Sequence, residues 1–473
     1  MTLEPVRSSP TGRAASRDPS LAATTLTDSA RRDFAVQLYE EHIDEAALLY
    51  LQRVTRLNNP LATEWNRLSP VEQRIEAHVD ALVLGGELAL STWTNRESAQ
   101  DDVGELYVGA RLLARRGDWN ALRSIEVGPG KRAAETARAL ADSLTEELPR
   151  DADAPFRILG SSEAVWSCAL LEVVARRRSD RHDVAMDALR SSDPVVLAAA
   201  ARALGELRNR RATGMLHRAM DHHDATVRSD AALALAKLGD AHVVARCADA
   251  AGMEDWPRLC LGLAGGPDAT TVLLRAIEGG RATEAALLSL GSLGDVRAVE
   301  PLISCLGDHP LATTAALVLD VITGAGLTEE VVIEEDVHED ELFSHEKECL
   351  TPESTVVTAR ETVTRLSTSP DQWRAWWDVH GRRFKPAVRH RAGKLVTPDL
   401  LLDGLKSEAT PRVIRELTHN ELAIRYACDV VFSPEVTVQQ QERAIHAYDT
   451  WASTQARGFQ AGRGYYAGRL ASI

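Results

Sequence analysis

The chain has 473 residues, with 54 lysines and arginines against 69 aspartates and glutamates, a formal net charge of −15. That acid excess opposes a polyanionic partner, so nucleic acid is not the expected ligand of the bulk surface. Six cysteines, no two closer than 13 positions, form no CxxC zinc or redox pair and read as reduced thiols packed in apolar helices of a cytoplasmic protein.

Residues 1–32 are rich in Ser, Thr, Pro, Arg and Ala and lack a continuous apolar run, so they read as a disordered arm, neither signal peptide nor anchor. An N-terminal helical domain is expected over 33–128, opening on Phe34, Leu38 and His42. Its clearest helix start is Ser69-Pro-Val-Glu72, read as a capping box that leads into Ile75, Val79 and Leu82 on one face.

Between 129 and 326 the chain repeats itself. Alanine- and leucine-rich blocks at Ser191–Gly205, Asp224–Gly239, Arg281–Gly294 and Pro310–Gly324 each close at or near a glycine. Asp224 suits an N-cap, Val227, Ala231 and Leu238 follow helical spacing, and Gly239 supplies the stop before a second helix at His242 to Ala251. Pro194 fits the first position of another helix. One such hairpin cannot bury its apolar face alone, so the blocks predict an all-α helical solenoid of about five hairpins, with a further one over Ala154 to Arg190.

The segment 327–352 is an acidic insert. From Glu329 to Glu348 it holds ten acids against Lys347 alone, and it reads either as a solvated loop or as a docking peptide built around Val331, Val332 and Ile333. A C-terminal helical domain is expected over 353–451, with its best helix capped by Ser369. Trp373, Trp376 and Trp377 share one face of that helix, as core packing or as a docking patch. The basic run from Arg382 to Lys394 offers an intramolecular contact for the acidic insert. The tail 452–473 interleaves Arg457, Arg463 and Arg469 with glycine and tyrosine, the pattern of a flexible or partner-docked segment or of one able to stack on single strands.

Catalytic motifs are not evident: there is no phosphate loop, no GxSxG and no HExxH. The His-Glu pairs at His338 and His345 lie in the acidic insert, and His222-His223 precedes a capping Asp224, so neither suggests a metal site. No cofactor or metal is expected. The expected role is protein binding across a concave ridge of second helices, with Arg218, Arg246, Arg297, Glu300 and Ser304 as candidate groove residues.

Several passages together resemble a known family. They are Tyr39 to Ala47, Arg74 to Leu82, Trp256 to Gly265, Gly294 to Leu302, Ile322-Thr-Gly324 before the insert, and Trp376-Trp377 followed by Arg383-Phe384. Their repeats resemble phycobilisome-lyase-like HEAT repeats. Their order is similar to that of a bacterial HEAT-repeat family, without an established activity, often encoded beside type VI secretion genes. The resemblance implies a HEAT-like solenoid flanked by helical domains, acting as a cytoplasmic scaffold or adaptor for secretion-apparatus or effector proteins. Other HEAT-like solenoids bind nucleic acid or act as bilin lyases or metal-dependent enzymes, which are the alternatives. The chain departs from the family after Phe384, where Lys385 to His390 replaces an expected glycine and Arg-Tyr pair, and this puts a shared partner in doubt.

Overall fold

The computed structural model describes residues 27–97, 101–126, 132–149, 153–160, 163–338 and 356–471. Each repeat pairs an apolar first helix with a more exposed second one. The hairpins are α8 (Ala164–Arg177) with α9 (His182–Ala188), α10 (Pro194–Glu206) with α11 (Thr213–Ala219), and α12 (Ala225–Leu238) with α13 (Val243–Ala251). They continue with α14 (Arg258–Ala264) and α15 (Pro267–Glu278), then α16 (Glu284–Leu293) and α17 (Val299–Cys305), and α18 (Ala312–Thr323) closes the series. Asp224 caps α12 as its spacing predicts, accepting from the amides of Thr226 and Val227. First helices stack on first helices, and small residues set how closely. A Cβ on Gly205 would lie 2.8 Å from the Cα of Ala234, and one on Gly262 would lie 2.5 Å from the Cα of Ser289.

The row of first helices does not begin at residue 129. It continues backward through α6 (Ala133–Glu147), with α7 (Asp153–Leu159) outside it, to α4 (Val103–Arg115) and α1 (Asp28–Asn58). One apolar core runs from Ile43 to Ile322 without a break at the expected domain boundary. α2 (Ser69–Leu84), α3 (Gly86–Thr94) and α5 (Trp119–Arg123) complete the N-terminal part. The capping box expected at Ser69 does not form, because a 3-10 turn over Trp65–Leu68 runs directly into α2 and makes Ser69 helical. Glu72 is used elsewhere: it pairs with buried Arg53 and accepts the amide of Val438.

The C-terminal third departs most from expectation. The acidic insert starts a β-hairpin, β1 (Thr328–His338) antiparallel to β2 (Val356–Leu366), so the region taken as a helical domain from 353 opens on a strand. The cause is a high density of β-branched residues, Val331 to Ile333 on one strand and Val356, Val357 and Val363 on the other. Glu329 is held by Arg365, Ser367 and Thr368. Residues 339–355, including the His345-Glu346 pair, lie outside the described residues, as do residues 1–26 of the expected arm. Residues 28–32 belong to α1.

Four helices follow: α19 (Pro370–His380), α20 (Pro398–Lys406), α21 (Arg412–Arg425) and α22 (Val438–Gln455). The tail expected to be free is folded. A 3-10 turn at Ala456–Gly458 leads to the two-residue strands β5 (Tyr465–Tyr466) and β6 (Arg469–Leu470), and Tyr465 is buried in the C-terminal core. An equal hairpin, β3 (His390–Arg391) with β4 (Lys394–Leu395), precedes α20.

These two hairpins share a sequence pattern, Ala-Gly, then a basic residue, then Leu, and a common task. The amides of Ala392 and Gly393 donate to the carbonyls of Val321 and Ile322 at the end of α18. Those of Ala467 and Gly468 donate in the same way to Ile424 and Arg425 at the end of α21. Arginines serve the ends between. Arg208 donates to Lys237 at the end of α12, Arg425 to Gly262 in α14, and Arg389 to Ser292 and Leu293 in α16. The last carbonyls of a helix have no partner inside it, and here the C-terminal segment supplies much of what they need. Within the basic run, Arg389 and Arg391 both bind Glu421 of α21, which is fully buried; half of the insert's acids lie outside the described residues.

Two stability predictions follow from these contacts. Gly280 and Gly294 are both left-handed, but a Cβ on Gly280 meets nothing within 4 Å whereas one on Gly294 falls 2.4 Å from the carbonyl oxygen of His390. In denaturant titrations Gly280→Ala is expected to cost about 1 kcal/mol and Gly294→Ala about 2–4 kcal/mol; equal losses would mean that the backbone of His390 does not press on this turn. Glu421→Gln leaves two buried arginines without their carboxylate and is expected to cost about 3–5 kcal/mol, read by the same titration.

Candidate functional site

A chamber of about 1070 Å³ opens between α6, α8, α10 and α12 on one side and α21 with the loop 432–435 on the other. Its floor is alanine-rich, with Ala137 and Ala141 of α6, Ala175 of α8 and Ala234 of α12, so the lining helices stand close together. Phe432 and Pro434 close the far wall. The chamber is therefore bounded by first helices.

Acids outnumber bases on its lining, seven carboxylates against four arginines and lysines. At one end Arg176 donates to Glu172 and Glu435, each at 2.8 Å, and also binds Asp142. Beneath it Asp142 is buried among Arg53, Arg138 and Arg176 and accepts from the Tyr50 hydroxyl at 3.0 Å. Burial pushes the Asp142 carboxyl up, but these three guanidinium groups override it and hold the carboxyl below its usual range.

In the middle, Asp230 of α12 faces Arg202 of α10. Burial outweighs that single arginine, and the Asp230 carboxyl stands above its usual range. Glu416 behaves alike. Burial raises it, Arg412 opposes, and the neighbouring charges of Glu435 and Glu172 raise it further. Its side chain lines the chamber and is 50% exposed. At the other end Lys237 binds Glu206, whose carboxyl burial would raise; Lys237 and His419 instead drive it far below its usual range. His419 is 4% exposed and places Nδ1 2.6 Å from the Tyr448 hydroxyl. Its Nε2 lies 3.8 Å from Glu206 and has no hydrogen-bond partner.

The expected groove residues lie elsewhere. Arg218, Arg246, Glu300 and Ser304 are on second helices and Arg297 is in the turn before α17, all on the row turned away from the chamber. The chamber is lined by the more apolar first helices, and none of these five residues is on its walls. Arg246 ties neighbouring repeats together through Asp221 and the His217 carbonyl, and Arg297 does so through Asp295 and the Pro267 carbonyl. Glu300 accepts from the Ser304 hydroxyl within its own helix.

The tryptophan trio divides. Trp373 is buried and donates its indole N–H to the Ser367 carbonyl at 2.7 Å. Trp376 and Trp377 are half-buried against Phe384, with Arg383 5.4 Å above the Trp376 ring. The tail aromatics that would stack on bases are used in packing: Phe459 and Tyr465 contact Tyr426, and Tyr466 donates to the Asp240 carbonyl. Cys168, Cys247, Cys260, Cys305 and Cys428 are free thiols. Among the described residues no group of histidines, cysteines and acids is disposed to hold a metal ion, and His222 instead accepts the amide of Asp224.

Sequence reasoning did not single out Glu172, Glu206, Asp230, Glu416 or His419. A signal was present, since Asp230 stands immediately before the alanine run of α12 and Thr418 to Glu421 form a polar run inside a helix that is buried along most of its length.

Residues 183–259 match the family model for HEAT repeats, and residues 284–308 match that for the PBS lyase HEAT-like repeat. No curated protein matches the sequence.

The two kinds of chamber carboxylate make opposite pH predictions. The folded pKa of Glu206 lies below its unfolded value, so its stabilisation is present above about pH 4.5 and is lost as pH falls further. Glu206→Gln is therefore expected to melt below the wild type at neutral pH, the gap closing on acidification. Asp230 is raised instead, so ionising it at neutral pH disfavours the fold. Asp230→Asn is expected to melt at or above the wild type at pH 7.

Proposed function

We propose that this chain is a non-catalytic scaffold that binds a segment of a partner protein in the chamber between its first helices and α21. HEAT repeats generally serve as protein-interaction scaffolds, and the observation that carries the reading here is the chamber itself. It is large, walled by closely packed repeat helices and lined by polar groups not fully used within the fold. Its volume is at the upper end of the roughly 300–1,000 Å³ typical of small-ligand pockets, enough for an extended stretch of a partner.

The non-catalytic part of the proposal rests on side-chain chemistry. Cys168, a thiol on the chamber wall, is pushed up to about 11 by burial and by the charges of Asp193 and Glu172, which leaves it protonated and a poor nucleophile at neutral pH. Several of the acids are engaged with arginine or lysine. The finer reading, a cytoplasmic adaptor accessory to a type VI-like secretion apparatus, is supported by the family resemblance alone. No described helix is long and apolar enough to cross a membrane. The packing of Phe459 and Tyr465 argues against the nucleic-acid alternative, because it takes from the tail the rings that stacking requires.

Val195 lines the chamber and is 62% exposed. In a crosslinking pull-down from the native cells, Val195→Trp is expected to lower recovery of the specific partner by about tenfold or more. Arg246→Ala, on the outer row, should leave recovery unchanged. The reverse pattern would move the binding surface to the second helices.

A further inference from the structure

We propose that the guest of this chamber is a peptide segment carrying an arginine or lysine between small residues. Its cation sits among Glu172, Asp230 and Glu416, and its backbone is held by His419 and Asn420. The inference rests on the scaffold reading and adds the chemistry of what is recognised.

Three observations lead to it. The first is charge. The lining carries three more acids than bases, and in the middle of the chamber the carboxyls of Asp230 and Glu416 are raised first by burial, with the charge of Glu172 adding to it. One arginine, Arg202, serves Asp230, and Arg412 divides itself between Glu416 at 3.5 Å and Glu435 at 3.7 Å. A guest cation would offset that repulsion, in surroundings poorer in water than the open surface.

The second observation is an unused hydrogen-bonding group. With Nδ1 held by Tyr448, the His419 ring is fixed in orientation, and its Nε2 is buried on the chamber wall 3.8 Å from Glu206 without a hydrogen bond of its own. A buried polar nitrogen without a hydrogen bond is destabilising, and a peptide carbonyl would satisfy it. Asn420, 9% exposed and next along the same wall, brings a carboxamide that both donates and accepts, the complement of a peptide unit.

The third is shape. Ala137, Ala141, Ala175 and Ala234 leave a floor without long side chains, on which the backbone of an extended segment can lie close. Small neighbours of the guest's basic residue would let its backbone come closest to that floor. A bare divalent cation is disfavoured because the carboxylates are not gathered into a ligand set among the described residues.

The test is to pan a phage-displayed library of random peptides against the full chain. The selected peptides are then titrated against the wild type, Asp230→Asn, Glu416→Gln and Arg246→Ala, with spermidine as a competitor. The expected result is a shared Arg or Lys flanked by Ala, Ser or Gly, with affinity reduced about tenfold by either chamber variant and not by Arg246→Ala. Replacing the peptide's basic residue by Glu should abolish binding, a readout that leaves the protein's folding untouched. Selected peptides without a basic residue, or peptides that bind both chamber variants as tightly as the wild type, would overturn the proposal. So would spermidine binding strongly where no peptide is selected, since the site would then serve small polycations. If Val195→Trp blocks capture of the native partner while the selected peptides lack a base, the scaffold reading stands and the charge assignment falls. If capture survives Val195→Trp, the chamber is not the partner site at all.

Discussion

The structure depends on how the carbonyl ends of its inner helices are satisfied. Every helix leaves its last carbonyls without intrahelical partners, and in a solenoid those of successive first helices line up along one edge. Here four consecutive ends, those of α12, α14, α16 and α18, receive donors from elsewhere in the chain. Most of these donors come from the C-terminal segment, which thereby becomes a strap along the edge. The left-handed glycines that stop the helices also make room for it: a Cβ on Gly239 would lie 2.9 Å from that of Ala467, and one on Gly324 would lie 2.6 Å from the Ala392 carbonyl carbon. The helix stop and the docking of the strap are one feature.

Binding the strap gathers arginines into a water-poor place, and one carboxylate holds them. Glu421 accepts from Arg389 and Arg391, with Arg425 4.0 Å away. Burial and the charge of Arg389 lower Arg425 to about 9, while the carbonyl of Gly262 at the negative end of α14 helps to keep it in place. The same strap carries α21 over the inner row. α21 closes the chamber with one part of its length, His419 and Asn420, and locks itself down with the next, Glu421 and Arg425. The chamber exists because the strap is anchored.

Much of the repeat architecture is legible in the sequence because it is local. Asp193 and Asp224 cap helices through amides two or three residues away, Pro194 needs only its own ring, and Gly239 needs only its own dihedral angle. The failures are equally physical. Ser69 has the residues of a capping box, but the 3-10 turn before it extends the helix past the cap. The acidity of 329–348 suggests a solvated loop, yet Val331 to Ile333 favour a strand and find one in Val356 to Leu366. The tail is rich in glycine and arginine, a composition shared by flexible segments, but Ala-Gly followed by a basic residue and Leu occurs twice and builds the same hairpin both times.

What the sequence determined by itself is the set of interactions a residue makes within its own hairpin: the helix starts and stops, the apolar stripe and the solenoid that such stripes require. What only the tertiary structure decided is which row of helices faces inward, and what the charges on that row are for. Asp230, Glu172 and Glu416 lie far apart in the chain, and Arg246 and Arg202 look alike as helical arginines. Stacking turns one arginine outward to bridge repeats and the other into the chamber beside Asp230. Charge is recorded locally, but the energy of a charge depends on what surrounds it, and those surroundings come from segments separated by some two hundred residues.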